Sequence, residues 1–581
     1  MKIVITKRFL EFIGFLTIIA SIAAFASLVL KYGFYLADIW TIRLLILDEL
    51  IAGIFVLTIT TSFLLSQNKW QYVKGSPFEV GLLILFILFL LIETIILAEN
   101  PHSFIKGSAP LSYHRLYFIN IQVFIIINSL ITFSRVRAKL RLVSMSPARI
   151  VIISYIVVIL SGSLMLMLPK ATCSSISWFD SLFVSASAVC VTGLSTLNIS
   201  EIFTFEGQVI ILILIQLGGL GVVTFTSFIA LFIFRGIRLR DQIMVKEIFS
   251  SDNFNSLTTI IKAIFIFTFI TELVGAVGLY FAWGHLGLSE PDRIFSSIFH
   301  SISAYCNAGF SIFPQGLQTA DYNFSSISLI IIMIIIICGG LGFYTFSDLV
   351  GIGEQSMIKK NGLTQQSKII LISTVILIIS GAFLIWILEI HKWQDISFGR
   401  KVLHAFFLSV VSRTAGFSIT EIRNIAIPVG MVLILLMYIG AAPNSTAGGI
   451  KITTAVILLH SFLAFVKGKN RVEVGWNTIP MITVRKVYIV FIVSIILIFT
   501  ALFMLSLTEN SSFFDIFFEI ISAFGTVGLS RGITPGLSEL SKIVLIVLMI
   551  AGKIGLFTLA VAISEESEGT SYHFPEIHLM I

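Results

Sequence analysis

Ser181–Ser195 reads SLFVSASAVCVTGLS, and the chain says nearly the same thing three more times. SSIFHSISAYCNAGFS ends at Ser311, HAFFLSVVSRTAGFS at Ser418 and IFFEIISAFGTVGLS at Ser530. With the four copies anchored on Gly193, Gly309, Gly416 and Gly528, a phenylalanine stands ten residues upstream each time, at Phe183, Phe299, Phe406 and Phe518. Such a stretch reads as a short amphipathic helix that stops inside an apolar region and hands over to irregular backbone ending in glycine. Glycine accepts positive φ without a Cβ clash, so it lets successive carbonyls turn toward one axis.

Irregular backbone at membrane depth survives only where it is buried in protein or lines a water-filled path. Four such segments from one chain can surround a single axis and replace a cation's hydration shell with carbonyl oxygens. The residues before the anchors are Val191 and Thr192, Asn307 and Ala308, Thr414 and Ala415, and Thr526 and Val527. Their side chains differ between copies, so they cannot form a symmetric cage, whereas main-chain carbonyls can. Each short helix also aims its partially negative C-terminal end toward the axis. These eight residues and the four glycines are the expected ion-binding set.

Composition fixes the class. A chain of 581 residues that is 57% hydrophobic, with a mean hydropathy of +1.02, is an integral membrane protein; soluble domains are about 45–50% apolar. The formal net charge of +7 sits in short loops between apolar runs, as the positive-inside rule requires, and implies no nucleic-acid partner. The four cysteines, Cys173, Cys190, Cys306 and Cys338, lack metal-ligand spacing and read as packing residues, with Cys190 and Cys306 beside the ion path. HExxH, G-x-S-x-G and P-loop words are read as absent and the nine histidines are scattered, so little points to an enzyme.

The words AVCVTGLS, AYCNAGFS, SRTAGFS and AFGTVGLS, with IGAAPNSTAGGIK between the last two and GKIGLFTLA near the end, resemble the Trk/Ktr/HKT superfamily of potassium transporters over about the last three quarters of the chain. The resemblance implies an all-α integral membrane protein with four pseudo-symmetric helix–pore loop–helix repeats around one central pore. It implies potassium as the transported ion, with no cofactor in this chain. It also implies a homodimer in which each chain holds its own pore, and a separate cytosolic nucleotide-binding regulatory subunit. A serine at the first anchor accompanies sodium permeation in that family, so Gly193 favours potassium. Arg413, in the family's SRTAGF word, is expected to brace the third loop against a carboxylate.

Taken in order, residues 1–145 form four apolar spans, roughly Phe9–Leu30, Leu44–Leu65, Val80–Leu97 and Leu116–Phe133, each near the length that crosses about 30 Å of hydrocarbon. The first is too long for a signal peptide and reads as a spanning helix. Four helices ahead of a pore is also the order of a voltage-sensing protein, but no basic residue lies between Arg115 and Arg135, so the fourth carries no gating charge. The expectation is a peripheral packing or assembly domain. Glu93 lies near one end of the third span.

The repeats follow as 146–245, 246–362, 363–475 and 476–581, the last ending in a cytoplasmic tail. Each is read as two spans around a re-entrant loop, giving eight core spans; the second span of the first repeat runs from Val209 to Phe234. The connections at Arg235, Arg238 and Arg240, at Lys359 and Lys360, and at Lys467, Lys469 and Arg471 are basic, which puts them in the cytoplasm. Glu272, mid-membrane in the second repeat, reads as a structural partner rather than an ion ligand.

A second signature lies on each outgoing helix. Gln216–Phe225 reads QLGGLGVVTF, Ile337–Phe346 reads ICGGLGFYTF and Ala551–Ala560 reads AGKIGLFTLA. For the first two, close helix packing explains the glycines. The third copy is different. Tyr438–Thr453, YIGAAPNSTAGGIKIT, cannot continue a lipid-facing helix, because proline removes a donor and glycine weakens the segment. Gly440, Pro443, Asn444, Ser445, Thr446, Gly448 and Gly449 are therefore the expected gate, a role the resemblance also assigns. Lys553, inside an otherwise apolar helix of the fourth repeat, puts a fixed positive charge in the same region. The family often has arginine there; snorkelling to the interface is the alternative for lysine.

The expected function is potassium uptake across the cytoplasmic membrane. Two alternatives stay open from sequence: a sodium-permeable or sodium-coupled transporter of the same fold, and a non-conducting sensor built on this scaffold.

Overall fold

A computed structural model describes residues 2–66, 68–75, 77–99, parts of 120–132, 147–222 with 224, 254–314, 316–318, 324–350, 363–390, 397–475 and 477–563. The architecture is helical; among the described residues the β structure is a short hairpin, Glu473–Val474 against Asn477–Thr478, and two isolated bridges, Thr172 with Phe203 and Ile439 with Ile450. The connections Arg235–Arg240 and Lys359–Lys360, most of Leu116–Phe133, the side chain of Glu93 and the tail after Ser564 lie outside the described residues.

The N-terminal unit contains α1 (Lys2–Gly33), α2 (Asp38–Leu65), the short α3 (Lys69–Gly75) and α4 (Pro77–Glu99). Small residues Ala20 and Ala24 on α1 let it approach α2 closely, and they share a core with Ile51, Phe55, Phe86 and Phe124. Buried Asp48 accepts from Ser27 Oγ at 2.6 Å and from Lys31 Nζ at 3.4 Å. This unit is attached to the rest through Lys170, whose Nζ donates to the carbonyl of Lys31 at 3.0 Å and whose amide donates to that of Gly33 at 2.9 Å.

Beyond it the chain runs α5 (Pro147–Leu166), α6 (Trp178–Val189) and α7 (Phe205–Leu220). Then come α8 (Phe254–Ala282), α9 (Glu290–Tyr305), α10 (Ser326–Gly340) and α11 (Phe343–Val350). Next are α12 (Gln365–Glu389), α13 (Phe398–Val411), α14 (Ile427–Tyr438) and α15 (Ile452–Val466). Last come α16 (Met481–Thr508), α17 (Phe513–Gly525), α18 (Glu539–Ile554) and α19 (Leu556–Ile563). Gly14–Gly33, Ala148–Leu166, Lys262–Ala282, Gln365–Glu389 and Met481–Thr508 are long and apolar enough to cross a bilayer.

The short helices α6, α9, α13 and α17 each pack on the long helix before them. Three of these contacts are made the same way. Ser185, Ser301 and Ser409 donate to the carbonyls of Ile159, Glu272 and Ile378 at 2.7, 2.6 and 2.8 Å. Opposite each hydroxyl is a glycine, Gly162, Gly275 or Gly381, on which a Cβ would come within 2.5–2.6 Å of it. The helix starts are fixed by capping: Ser177, Ser289 and Ser512 accept from the amides of Asp180, Asp292 and Asp515, the arrangement that satisfies free first-turn donors. The third short helix has Arg400 in place of the aspartate, and Ser397 makes no such bond.

Among the described residues the outgoing helices are interrupted, including the one read from sequence as a span from Val209 to Phe234. α7 ends at Leu220 and Gly221 follows at φ +79°; α10 and α11 meet at Gly342, φ +77°, with a bend of 100°. α18 and α19 are separated by Gly555 at φ +91°. A residue in that region ends a right-handed helix, and glycine is the one that goes there without strain. The repeated glycines also pack tightly, since a Cβ on Gly218, Gly339 or Gly552 would run into the carbonyl of Val189, Tyr305 or Phe524 at the end of a short helix. Packing and interruption are therefore both encoded in one glycine-rich word.

Candidate filter and gate

Each outgoing helix packs against the short helix of the following segment: α7 on α9, α10 on α13, α14 on α17, and α18 back on α6. The cycle closes. At its centre the four anchor glycines come together. A Cβ on Gly193 would lie 3.2 Å from Cα of Gly309, one on Gly309 2.9 Å from Cα of Gly416, one on Gly416 3.1 Å from Cα of Gly528, and one on Gly528 3.1 Å from Cα of Gly193. The same added atoms would run into the carbonyl oxygens of Ala308, Ala415, Val527 and Thr192 in turn. Gly193, Gly309, Gly416 and Gly528 have φ of +90°, +67°, +70° and +94°, and Val191, Asn307, Thr414 and Thr526 are also at positive φ.

The amides of these loops are turned back onto their own helices. Thr192, Ala308 and Val527 donate to the carbonyls of Ser187, Ser303 and Ser522 at 2.7, 2.7 and 2.9 Å, and Ala415 donates to that of Val411 at 2.9 Å. Gly193 and Gly528 donate to Ser187 Oγ and Ser522 Oγ at 3.0 and 3.1 Å. With the donors consumed, the carbonyls of Thr192, Ala308, Ala415 and Val527 accept no hydrogen bond among the described residues. The hydroxyls of Thr192, Thr414 and Thr526 are likewise buried without a partner there. Oxygens left without donors in this way have the chemistry that a cation, rather than an anion, would meet.

The third copy departs from the alignment by phenylalanine. Phe183, Phe299 and Phe518 are fully buried, but Phe406 is 37% exposed and Phe407 takes the core position. The reason is a residue fewer between helix and anchor: Ser409 precedes Gly416 by seven, whereas Ser185 and Ser301 precede theirs by eight.

Below the ring, residues 439–451 leave α14 and are stitched to two other segments. Gly440 donates to Ile450 O at 2.8 Å and Ser445 Oγ to Ala442 O at 2.6 Å, closing the loop on itself. Ala442 donates to Gly340 O at 3.1 Å, Phe343 donates to Asn444 O at 3.2 Å, and a Cβ on Gly342 would lie 2.6 Å from the carbonyl of Pro443. Thr446 Oγ1 donates to Tyr305 O and Gly339 O at 3.2 and 3.3 Å. Toward the fourth segment, Gly449 donates to Gly552 O at 3.1 Å, and a Cβ on Gly448 would be 2.8 Å from Cγ2 of Thr526. Lys553 Nζ donates to Thr446 O. Lys451, which the sequence reading passed over, donates through Nζ to Ala447 O at 2.6 Å. Two ammonium groups thus hold carbonyls of the loop, and Lys553 points inward rather than snorkelling.

Arg413 is a correction. Its side chain is 6% exposed and makes no ion pair with a carboxylate among the described residues, and its Nε has no partner there. The shortened turn after α13 directs it instead into a small cavity with Thr374, Ile378 and Ala441. Glu272 is a structural partner: its Oε2 accepts from Gln216 Nε2 at 3.2 Å, joining α8 to α7. All four cysteines are free, and Cys190 and Cys306 are buried as the C-caps of α6 and α9. The reading that the chain has no G-x-S-x-G word is corrected as well: Ser530 sits in one, Gly528–Gly532. Its hydroxyl is bound to Glu519 and Thr534 at the exit of a re-entrant helix, not on a strand-to-helix elbow.

The family model described as a cation transport protein (TrkH) matches residues 114–572. The chain is 36% identical over 433 residues to the Ktr system potassium uptake protein B of Vibrio alginolyticus, covering 74% of this chain and 93% of that protein. It is 34% identical over 464 residues to the potassium/sodium uptake protein NtpJ of Enterococcus hirae, covering 77% and 98%. In fold it is similar to the potassium transporter TrkH from Vibrio parahaemolyticus, with a TM-score of 0.60 at 20% identity over 83% of this chain and 97% of that one. A multi-pass helical chain with a closed ring of glycines, matched by the family model over most of its length, belongs to the TrkH family of cation transport proteins.

Proposed function

We propose that this protein takes up potassium across the cytoplasmic membrane through the ring of main-chain carbonyls at Thr192, Ala308, Ala415 and Val527. The other loop residues, Val191 and Gly193, Asn307 and Gly309, Thr414 and Gly416, and Thr526 and Gly528, complete the coordinating stretch. The observation that carries this reading is the oxygen cluster itself: amides face away and carbonyls converge, which suits a weakly hydrated monovalent cation. The segments 146–245, 246–362, 363–475 and 476–581 are the four units that build it. The potassium named in the V. alginolyticus and E. hirae relatives agrees with this ion.

The loop at 439–451, held by Lys553 and Lys451, acts as the gate. Its carbonyls are fixed by charge-assisted bonds, so opening requires those bonds to exchange. A homodimer with a cytosolic nucleotide-binding subunit supplies the control, in keeping with the word "system" in the Ktr relative's name.

Tracer rubidium and sodium uptake into vesicles containing the purified chain tests the reading. Rubidium uptake in excess of sodium, an excess that Gly528→Ala diminishes, is the expected result. Sodium uptake of equal size points to the sodium-permeable alternative, and no uptake of either in any gating condition overturns the proposal.

A further inference from the structure

Two buried titratable side chains lie behind the ring. His300 on α9 and Glu519 on α17 hold the same place, nine residues before Gly309 and Gly528, and both are fully buried. His300 Nε2 is 2.8 Å from Ser311 Oγ, with Nδ1 2.8 Å from Ser296 O. Glu519 Oε1 accepts from Ser530 Oγ and, at 3.1 Å, from Thr534 Oγ1. Ser311 and Ser530 each stand two residues past the anchor glycine. Their hydroxyls in turn accept from the amides of Phe313 and Gly532 at 3.1 and 2.9 Å. In these two segments the strand leaving the ring is therefore tied back to its own short helix.

The other two segments lack the tie. Val184 and, allowing for the missing residue, Leu408 occupy that place, and both are buried. Ser195 Oγ donates to Leu197 O at 2.6 Å, and Ser418 Oγ donates to Thr420 O, bonds within the strand itself. Around the ring the order is Gly193, Gly309, Gly416, Gly528, so the two tied segments face each other across the axis. Packing alone does not account for this choice of residues. Glu519 Oε2 is buried without a hydrogen-bond partner among the described residues, an arrangement that costs stability.

Resting on the filter reading above, we propose that His300 and Glu519 are positioning residues that set the spacing of the second and fourth carbonyl segments and so the preference for potassium over sodium. A ring that must match one ion has to be kept from closing on a smaller one. A side chain locked behind opposite strands does that without touching the ion.

The experiment compares rubidium and sodium uptake into vesicles for wild type, His300→Val, Glu519→Val, His300→Gln and Glu519→Gln, with Gly528→Ala alongside. Valine is the residue of the first segment and removes the tie; glutamine keeps a group that can bond the serine. Both valine variants are expected to lower the rubidium-to-sodium ratio about fivefold, the scale of one hydrogen bond, and the glutamine variants to restore it. Unchanged ratios in the valine variants overturn the inference, as does an equal fall in valine and glutamine variants. If Gly528→Ala also leaves the ratio unchanged, the filter reading itself fails; if it shifts the ratio while valine does not, only this inference fails. Should the valine variants not insert, Ser311→Ala and Ser530→Ala remove only the outer hydroxyl, and a wild-type ratio in both overturns the inference.

Discussion

Gly309 presses against the carbonyl of Ala415: a methyl group added to it would sit 2.7 Å from that oxygen and 2.9 Å from Cα of Gly416. Both neighbours are backbone, so neither can swing aside. Gly309→Ala would also hold a side chain at φ +67°, about 1–2 kcal/mol of conformational cost, in addition to about 1–3 kcal/mol of overpacking. The expected outcome is loss of rubidium-over-sodium selectivity with the protein still inserted. Growth of an uptake-deficient host on limiting potassium measures it, and full rescue by Gly309→Ala would show that the ring is not the ion path.

Lys553 and Thr446 make the corresponding prediction for the gate. Lys553→Met keeps the length of the side chain and removes the donor to the Thr446 carbonyl. A hydrogen bond from a charged group contributes about 1.5–3 kcal/mol, so the resting flux should rise about tenfold or more. Lys553→Arg retains the charge and should stay near wild type. Uptake by the purified chain without a cytosolic partner is the measurement; a lower flux in Lys553→Met would mean that the ammonium group helps conduction rather than holding the loop shut.

What could be read without coordinates followed from repetition. Four glycine-ended stretches said that four loops share one arrangement, and Pro443 with Gly448 and Gly449 said that α14 does not continue. The interruption after Tyr438 was legible because no lipid-facing helix tolerates those residues. Less legible were features whose signal is a single residue with more than one use. Gly221, Gly342 and Gly555 look like packing glycines, and they are, but they also sit at positive φ and end their helices. The seven-residue spacing from Ser409 to Gly416 moves Phe407, not Phe406, into the core. Arg413 resembled a brace, yet its partner was a matter of where a shortened turn points it. Serine pairs such as Ser185 with Gly162 were visible in the sequence only as small residues in apolar runs.

The outer end of the first short helix should be acid-sensitive. Burial alone would raise the carboxyl of Asp180, but the hydrogen bonds from Lys542 Nζ, 2.7 Å away, and from Ser177 Oγ, 2.6 Å away, hold it below its ordinary value. A carboxylate depressed on folding contributes stability that is present above its unfolded pKa and is lost as pH falls through the folded one. Wild type should therefore lose thermal stability below the usual carboxylate range, and Asp180→Asn should be less stable at neutral pH by about 1.5–3 kcal/mol with a flatter acid limb. Thermal unfolding in detergent from pH 3 to 7 distinguishes the two. Parallel profiles would mean that Lys542 does not stabilise the charged form.

The N-terminal unit offers a prediction in which transport and stability should separate. Its attachment is through the ends of α1 and α5: Lys170 donates to the carbonyls of Lys31 and Gly33, and Asp48 holds Lys31 from within. None of these residues belongs to the ring or the loop beneath it, and the family match begins only at residue 114. The stretch between Arg115 and Arg135 has no basic residue to move in a field, so the expectation to be tested is that the unit serves as packing rather than as a sensor of membrane potential. Removal of residues 1–113 should leave the rubidium-to-sodium ratio and its dependence on an imposed potential unchanged. It should lower the thermal midpoint, and Lys170→Met, which removes one of the two bonds, should give part of that loss, about 1 kcal/mol. A truncated chain that is as stable as wild type but no longer responds to potential in the same way would reverse the assignment, because the unit would then be sensing and not supporting.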